Sequence, residues 1–319
     1  MPSHNIWNQW KRLVVNRETP KKLKYTASDL SPLNIKLVST KDKDAGRTSW
    51  FEPWDGLDKL ALTEPESLKK LPTLDLEADQ RLDVPSRQSQ HYEVCYQLWY
   101  AIQDRTENYA DFANLPRTHP GISLSMIRPW SKIEENDEFY EIDDIRAPGY
   151  PFTWGWHPLS LDEFCVRDRE FQETPYPHLQ MAIFSFDCPD DSSLLASELS
   201  ALVQVIGIRS SQPTFLGTPS IAVLLISIFG ARQVRVIQAF YSKREYTKGE
   251  KQGEPELTVK LGKTINLASE NETEIEERMD EIIRWIACNI SFLQTDEPVN
   301  PGGDGLVEVV IRSASMVEV

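Results

Sequence analysis

The longest apolar run of the chain is Ile-Ala-Val-Leu-Leu-Ile-Ser-Ile-Phe at residues 221–229. It is apolar on both alternating faces, which predicts a strand covered on both sides and central in its sheet. Residues 178–186 form a second run of strand formers, bounded by Pro177 and by Cys188 and Pro189. Between the two runs, Leu194, Leu195, Leu199, Leu202, Val203 and Ile206 recur at helical spacing. Asp190, Asp191 and Ser192 precede them with N-cap chemistry. A loop over residues 210–219, with Pro213, Gly217 and Pro219, ends this helix. After a turn at residues 230–233, residues 234–241 return as a partner strand. Residues 176–243 thus read strand, helix, strand, turn, strand, the helix crossing over between two parallel strands.

Around this centre the pattern predicts further elements. Ile6, Trp7, Trp10, Leu13 and Val14 share one helical face beside Lys11 and Arg12. Such a helix packs on its own domain, docks on a partner or membrane surface, or serves as a mitochondrial presequence, since no acid precedes Glu18. Residues 16–90 have a linker's composition, interrupted by Trp50, Phe51 and Trp54, which are costly to leave in water and are expected to dock onto the folded body in preference to a partner. A helix is predicted over residues 90–112, with Tyr92, Cys95, Tyr96, Trp99 and Ile102 on one face and Glu93, Asp104, Arg105 and Glu107 mostly on the other. Residues 121–128 and 138–145 alternate and predict a hairpin across a polar turn at 129–137. Residues 147–158 read as an ordered loop or short strand, and residues 159–173 as a short acidic helix or loop. Leu257, Val259 and Leu261 predict an edge-like strand. Ser269 and Glu272 form a capping box opening a helix that runs through Ile275, Met279, Ile282, Ile283, Ile286, Ile290 and Leu293. Residues 298–305 read as a loop and 306–311 as a last strand.

The fold class this implies is α/β: a central mixed β-sheet flanked by helices over residues 88–319. A basic, Trp-containing and poorly structured N-terminal arm and linker precede it over residues 1–87.

Charge narrows the partners. The chain carries 34 Lys and Arg against 49 Asp and Glu, a net charge of −15. Residues 1–48 hold ten basic and four acidic side chains, a net of +6, so the remainder carries −21. A body that acidic repels a nucleic-acid backbone at long range. The expected partner is a protein, with nucleic acid reached only through a local basic groove or the N-terminal arm. No apolar run approaches the roughly 20 residues of a membrane span. No charged-then-apolar secretory signal opens the chain. The expectation is a soluble, intracellular protein, cytoplasmic or nuclear rather than mitochondrial.

Cys95, Cys165, Cys188 and Cys288 form no C-x-x-C pair and no zinc-like spacing, so buried reduced thiols are expected for most of them. His4, His91, His119, His157 and His178 are isolated in sequence. Gly262-Lys263-Thr264 lacks the earlier glycine of a phosphate loop, its place being taken by Leu257.

The order helix, three strands, helix, two strands over residues 90–241, with Tyr-Pro-His-Leu-Gln-Met-Ala-Ile-Phe-Ser-Phe-Asp at 176–187, resembles the core of the PD-(D/E)XK nuclease superfamily. It is most similar to divergent nuclease-like proteins of unknown function that abound in filamentous fungi. In that superfamily an acid on the second strand and a Glu-x-Lys on the third hold a divalent metal, and the lysine helps to activate water. The resemblance places Asp143 and Asp144 where the first acid belongs, and Glu93 where some members carry an acid on the leading helix. The third-strand positions fall on Ile183 and Ser185, neither of which can ligate as a carboxylate or act as the cation. Asp187, two residues on, shares the face of Ser185. With the Glu-x-Lys missing, the expectation is a non-catalytic interaction or regulatory protein on a degenerate nuclease-like fold, with no cofactor. The alternatives are a Mg²⁺-dependent nuclease using Asp143, Asp144 and Asp187 with Glu93, and an accessory protein or enzyme of small-molecule metabolism, signalled by an aromatic pocket around Trp154, Trp156 and Tyr176.

Overall fold

The computed structural model describes Trp10 and residues 22–39, 49–62, 84–111, 122–133, 156–167, 173–185, 188–230, 232–243, 255–269 and 271–291. In chain order the elements begin with β1 (Lys24–Tyr25), α1 (Ala27–Leu30), β2 (Ile35–Val38), β3 (Phe51–Glu52) and β4 (Ala61–Leu62). They continue with α2 (Val84–Asn108), β5 (Tyr109–Asp111), β6 (Ile122–Ser123), α3 (Leu124–Ile127) and β7 (Trp130–Lys132). The long strands β8 (Trp156–Arg167) and β9 (Glu173–Ser185) lead through β10 (Leu194–Leu195) to α4 (Ala196–Ser211). Then come β11 (Ser220–Phe229), β12 (Gln233–Ser242), β13 (Glu256–Asn266), α5 (Glu272–Ile286) and β14 (Asn289–Ile290).

Seven strands form one mixed sheet in the order β2-β13-β12-β11-β9-β8-β7, with β11 in the middle. The doubly apolar run thus sits where its pattern requires. β7, β8 and β9 are antiparallel neighbours. β9 and β11 run parallel, joined through α4. The pleat sorts the core onto two faces. Leu179, Met181, Ile183, Val223 and Leu225 meet Leu199, Leu202 and Ile206 of α4. Ala182, Phe184, Ile226 and Ile228 meet Leu98 and Ile102 of α2, and Met279 and Ile282 of α5. The result is three layers, helix on sheet on helices.

One ion pair is locked inside. Arg235 of β12 and Glu198 of α4 are both fully buried. Arg235 Nε donates to Glu198 Oε1 at 3.2 Å and Nη2 donates to Oε2. Arg235 Nη1 donates to the carbonyls of Asp190 and Ser193 at 2.9 and 3.1 Å. Glu198 also accepts from Leu195 N at 2.9 Å, so it opens α4 itself. The expected cap at Asp190–Ser192 is instead a separate turn, in which the Asp190 carboxylate accepts from Ser192.

The N-terminal segment differs most from its expectation. Composition reads residues 16–90 as linker, yet β2 extends the main sheet by pairing parallel with β13. Leu30, Ile35, Phe51 and Leu57 are buried. Trp50 stacks on Phe240 at 5.2 Å, so the aromatic cluster docks on the body as its burial cost demands. Trp10 is buried too, donating Nε1 to Leu33 O at 2.7 Å and meeting Tyr241 edge-on. Its place fits a helix packed on its own domain. Four short residues of β2 carry too little periodicity to stand out in a polar stretch, and because β2 covers β13, the latter is an interior strand rather than an edge.

Other boundaries shift for local reasons. Residues 121–128 alternate, but only Ile122–Ser123 is strand. Ser123 then caps one helical turn that Arg128 N closes onto Leu124 O at 3.0 Å. The expected partner at 138–145 lies outside the described residues, as do 298–305 and 306–311. Residues 159–167 are not an acidic helix or loop, because β8 runs from Trp156 to Arg167; residues 168–172 lie outside the described residues. α5 is capped by Asn271, whose side chain accepts from Thr273 N, not by the Ser269–Glu272 box. It ends at Ile286, and Ile290 pairs with Phe51 in β14; Leu293 lies outside the described residues. Gly262 lies opposite the register shift of β12 between Arg235 and Ile237, where a Cβ would run into Val236 O. It is a close-approach glycine within a strand.

Candidate functional site

Strand β8 carries two adjacent acids, Asp162 and Glu163. Successive residues of a strand point to opposite faces. Asp162 pairs in register with Gln180 of β9, and Glu163 with Leu179. Leu179 faces α4, so Asp162 and Gln180 face α2 and α5 together with Ala182.

Asp162 is buried. Burial pushes its carboxyl above the ordinary carboxylate range, and the charges of Arg128 and Lys132 act against that rise. Arg128 Nη2 donates to Asp162 Oδ1 at 3.3 Å. Gln180 is equally enclosed: its Nε2 donates to the carbonyls of Trp285 and Ile286 at 3.3 and 3.1 Å. Those carbonyls belong to the last turn of α5, where Trp285 O also accepts from Cys288 N at 3.1 Å, so the amide adds to the C-terminal capping of the helix. Trp99, Gln103, Ser125, Arg128 and Asp162 line a small recess of about 30 Å³ here. It has room for a few waters. Trp99 Nε1 and Arg128 Nε are buried with no hydrogen-bond partner among the described residues.

Of the positions suggested by sequence, Glu93, Ile183 and Ser185 are described, and none of them lines this recess. Asp143, Asp144 and Asp187 lie outside the described residues. Glu93 is exposed on α2 and accepts from Gln97 Nε2 at 2.7 Å. It stands about 15 Å along the helix from Gln103. Ile183 and Ser185 face the opposite layer. Ile183 is core under α4, and Ser185 Oγ shares a 2.7 Å hydrogen bond with Ser197 Oγ of that helix. Among the described residues no group of three or more His, Cys, Asp or Glu is arranged to hold a metal ion.

A second polar cluster lies at the α4 layer. Arg209 Nη2 donates to Glu163 Oε2 at 2.7 Å and to Tyr176 O at 2.6 Å, and Nη1 donates to Gln212 Oε1 at 2.9 Å. Its guanidinium lies 4.0 Å over the Phe215 ring. His178 Nδ1 accepts from Ala222 N at 3.1 Å. Burial first, and then the Arg209 charge, push His178 down to about 4. It is a neutral acceptor tying β9 to β11, the satisfied structural histidine its lone position suggests. The aromatic pocket does not assemble among the described residues. Trp156 pairs with Ser185 at one end of β9, whereas Tyr176 packs on Phe164 nine residues away, about 30 Å along the strand; Trp154 lies outside the described residues.

Sequence reasoning missed Asp162, Gln180 and Arg128, because two adjacent acids at 162–163 mimic a solvent-facing helix. Only the register of β8 on β9 shows that each acid has its own arginine. Comparison with protein-family models, with curated proteins and with solved structures returns no match for this chain.

Proposed function

We propose that this chain is a non-catalytic interaction or regulatory protein built on a nuclease-like α/β fold. One observation carries the reading: the buried acid of β8 is neutralised and its surroundings are committed to structure. Asp162 is held by Arg128. The Glu-x-Lys positions that the resemblance gives fall on Ile183, which is core under α4, and Ser185, which is bonded to Ser197. A carboxylate so paired has little to offer a divalent cation, and neither isoleucine nor serine supplies the missing carboxylate or cation. The order helix, three antiparallel strands, crossover helix and parallel fourth strand supports the ancestry.

A feature of α2 favours a protein partner. Tyr92, Tyr96 and Tyr100 line successive turns: the first two stack at 5.8 Å, the next two meet edge-on at 4.7 Å, and Tyr100 is 54% exposed. Tyrosine-rich surface is the usual material of protein interfaces.

The test is incubation of the full chain with single- and double-stranded DNA and RNA in Mg²⁺ or Mn²⁺. No cleavage above buffer is expected. Metal-dependent cleavage abolished by Asp162→Asn or by Asp143→Ala would establish the nuclease alternative instead.

A further inference from the structure

Of the four thiols, Cys188 alone is exposed; Cys95, Cys165 and Cys288 are buried. Cys95, on α2, and Cys188, on the segment after β9, converge on the β11–β12 turn. Cys95 Sγ lies 3.1 Å from Gly230 O. Cys188 Sγ lies 3.7 Å from the point a Cβ on Gly230 would occupy. Cys165 instead pairs in β8 against Pro175, and Cys288 sits in a separate core beneath Trp130.

We propose that Cys188 is a modification site for hydroperoxides and that Cys95 resolves the oxidised sulfur into an internal disulfide. In the first step the Cys188 thiolate attacks one peroxide oxygen. The O–O bond breaks, Cys188 becomes a sulfenic acid, and the departing oxygen takes a proton from solvent to leave as alcohol or water. In the second, Cys95 sulfur attacks Cys188 sulfur. The S–S bond forms, the S–OH bond breaks, and water leaves with the Cys95 proton. The peroxide is reduced by two electrons and the thiol pair is oxidised by two.

The order of events follows from the surroundings. Cys95 is fully buried, and burial, with Cys188 as a lesser cause, pushes its thiol up, so it is a poor first nucleophile. Cys188 meets solvent and therefore meets the oxidant. Closing the bond needs the two sulfurs about 2 Å apart. The movement falls on Cys188, because α2 is held by its core face. Two residues on, Asp190 is anchored through its carbonyl to Arg235 and through its carboxylate to Lys24 at 3.7 Å. The disulfide would tie α2 to the segment leading into α4, on either side of the sheet end.

The experiment treats the reduced full chain with hydrogen peroxide, blocks the remaining thiols by alkylation, and maps the digest by mass spectrometry. A Cys95–Cys188 peptide pair two hydrogens lighter is expected, reversed by dithiothreitol, with Cys165 and Cys288 alkylated only after unfolding. In Cys95→Ser, Cys188 sulfenic acid should accumulate and be trapped by dimedone; in Cys188→Ser the cross-link should vanish. Wild-type protein that accumulates Cys188 sulfenic acid, or links between chains through Cys188, overturns the resolving role of Cys95. Cys188 left reduced under peroxide that oxidises free cysteine overturns the site. The wild-type map decides both points even if Cys95→Ser folds poorly.

Discussion

Glu198→Ala tests how the α4 layer is held to the sheet. The substitution leaves the Arg235 guanidinium fully buried with no counter-charge and removes the acceptor of Leu195 N. Breaking one side of a buried pair costs about 3–5 kcal/mol. For a chain of this size that corresponds to a fall in Tm of roughly 5–7 °C. The comparison that isolates the charge is the double variant Glu198→Leu with Arg235→Met, which removes both ions and keeps the volume. It still leaves the Asp190 and Ser193 carbonyls without the donors they have now. Leaving buried polar groups unpaired costs about 1–3 kcal/mol. The double variant should therefore be more stable than Glu198→Ala by about 1–2 kcal/mol, even though it carries one more change. Urea unfolding at pH 7, followed by tryptophan fluorescence and far-ultraviolet circular dichroism, measures both. A loss under about 1 kcal/mol for the single variant, or a double variant at the sum of its two singles, would refute the reasoning.

Three further outcomes are expected. Gly262→Ala forces a methyl into Val236 O at the β12 register shift and should cost about 1–3 kcal/mol, read as a lower urea midpoint with unchanged slope. His178 is depressed in the folded state from an ordinary 6.5 to about 4. The unfolded chain therefore binds the extra proton first. Stability should fall as pH drops from about 6.5 towards 4, by roughly 3 kcal/mol in all, and His178→Gln should flatten urea midpoints across that window. Removal of residues 1–48 should expose the β13 edge and strip Trp10, Leu30 and Ile35 from the core, giving concentration-dependent aggregation in light scattering; a monodisperse truncated chain would contradict the role given to β2.

The central unit was legible because its apolar runs are long and of one period. Residues 178–186 and 221–229 were expected as strands and are found in Glu173–Ser185 and Ser220–Phe229, with the helix between them. The helix over residues 90–112 was visible for the same reason, though Val94 and Leu98 also belong to its buried face. β8 was illegible because its polarity is internal. Asp162 and Glu163 look solvent-facing until Arg128 and Arg209 are brought to them from elements 34 and 46 residues away. β2 was illegible because four residues carry no period, and its reason to be a strand is β13, more than two hundred residues downstream. The acids expected on residues 138–145 lie outside the described residues, and the buried acid that the structure describes is Asp162 of β8.

Asn34 Nδ2 donates to Pro255 O across 221 residues of sequence. At a ribosomal pace of about 5–20 residues per second, the segment that ends as the outermost strand waits roughly 10–40 seconds for its neighbour to be made. Throughout that interval Ile35 has no strand edge to pair with, and even β10, the partner of β1, is made only at residues 194–195. The newborn chain is thus most exposed to misassociation at its beginning, and maturation is gated by the late arrival of β13 rather than by the speed at which any single helix or hairpin can form.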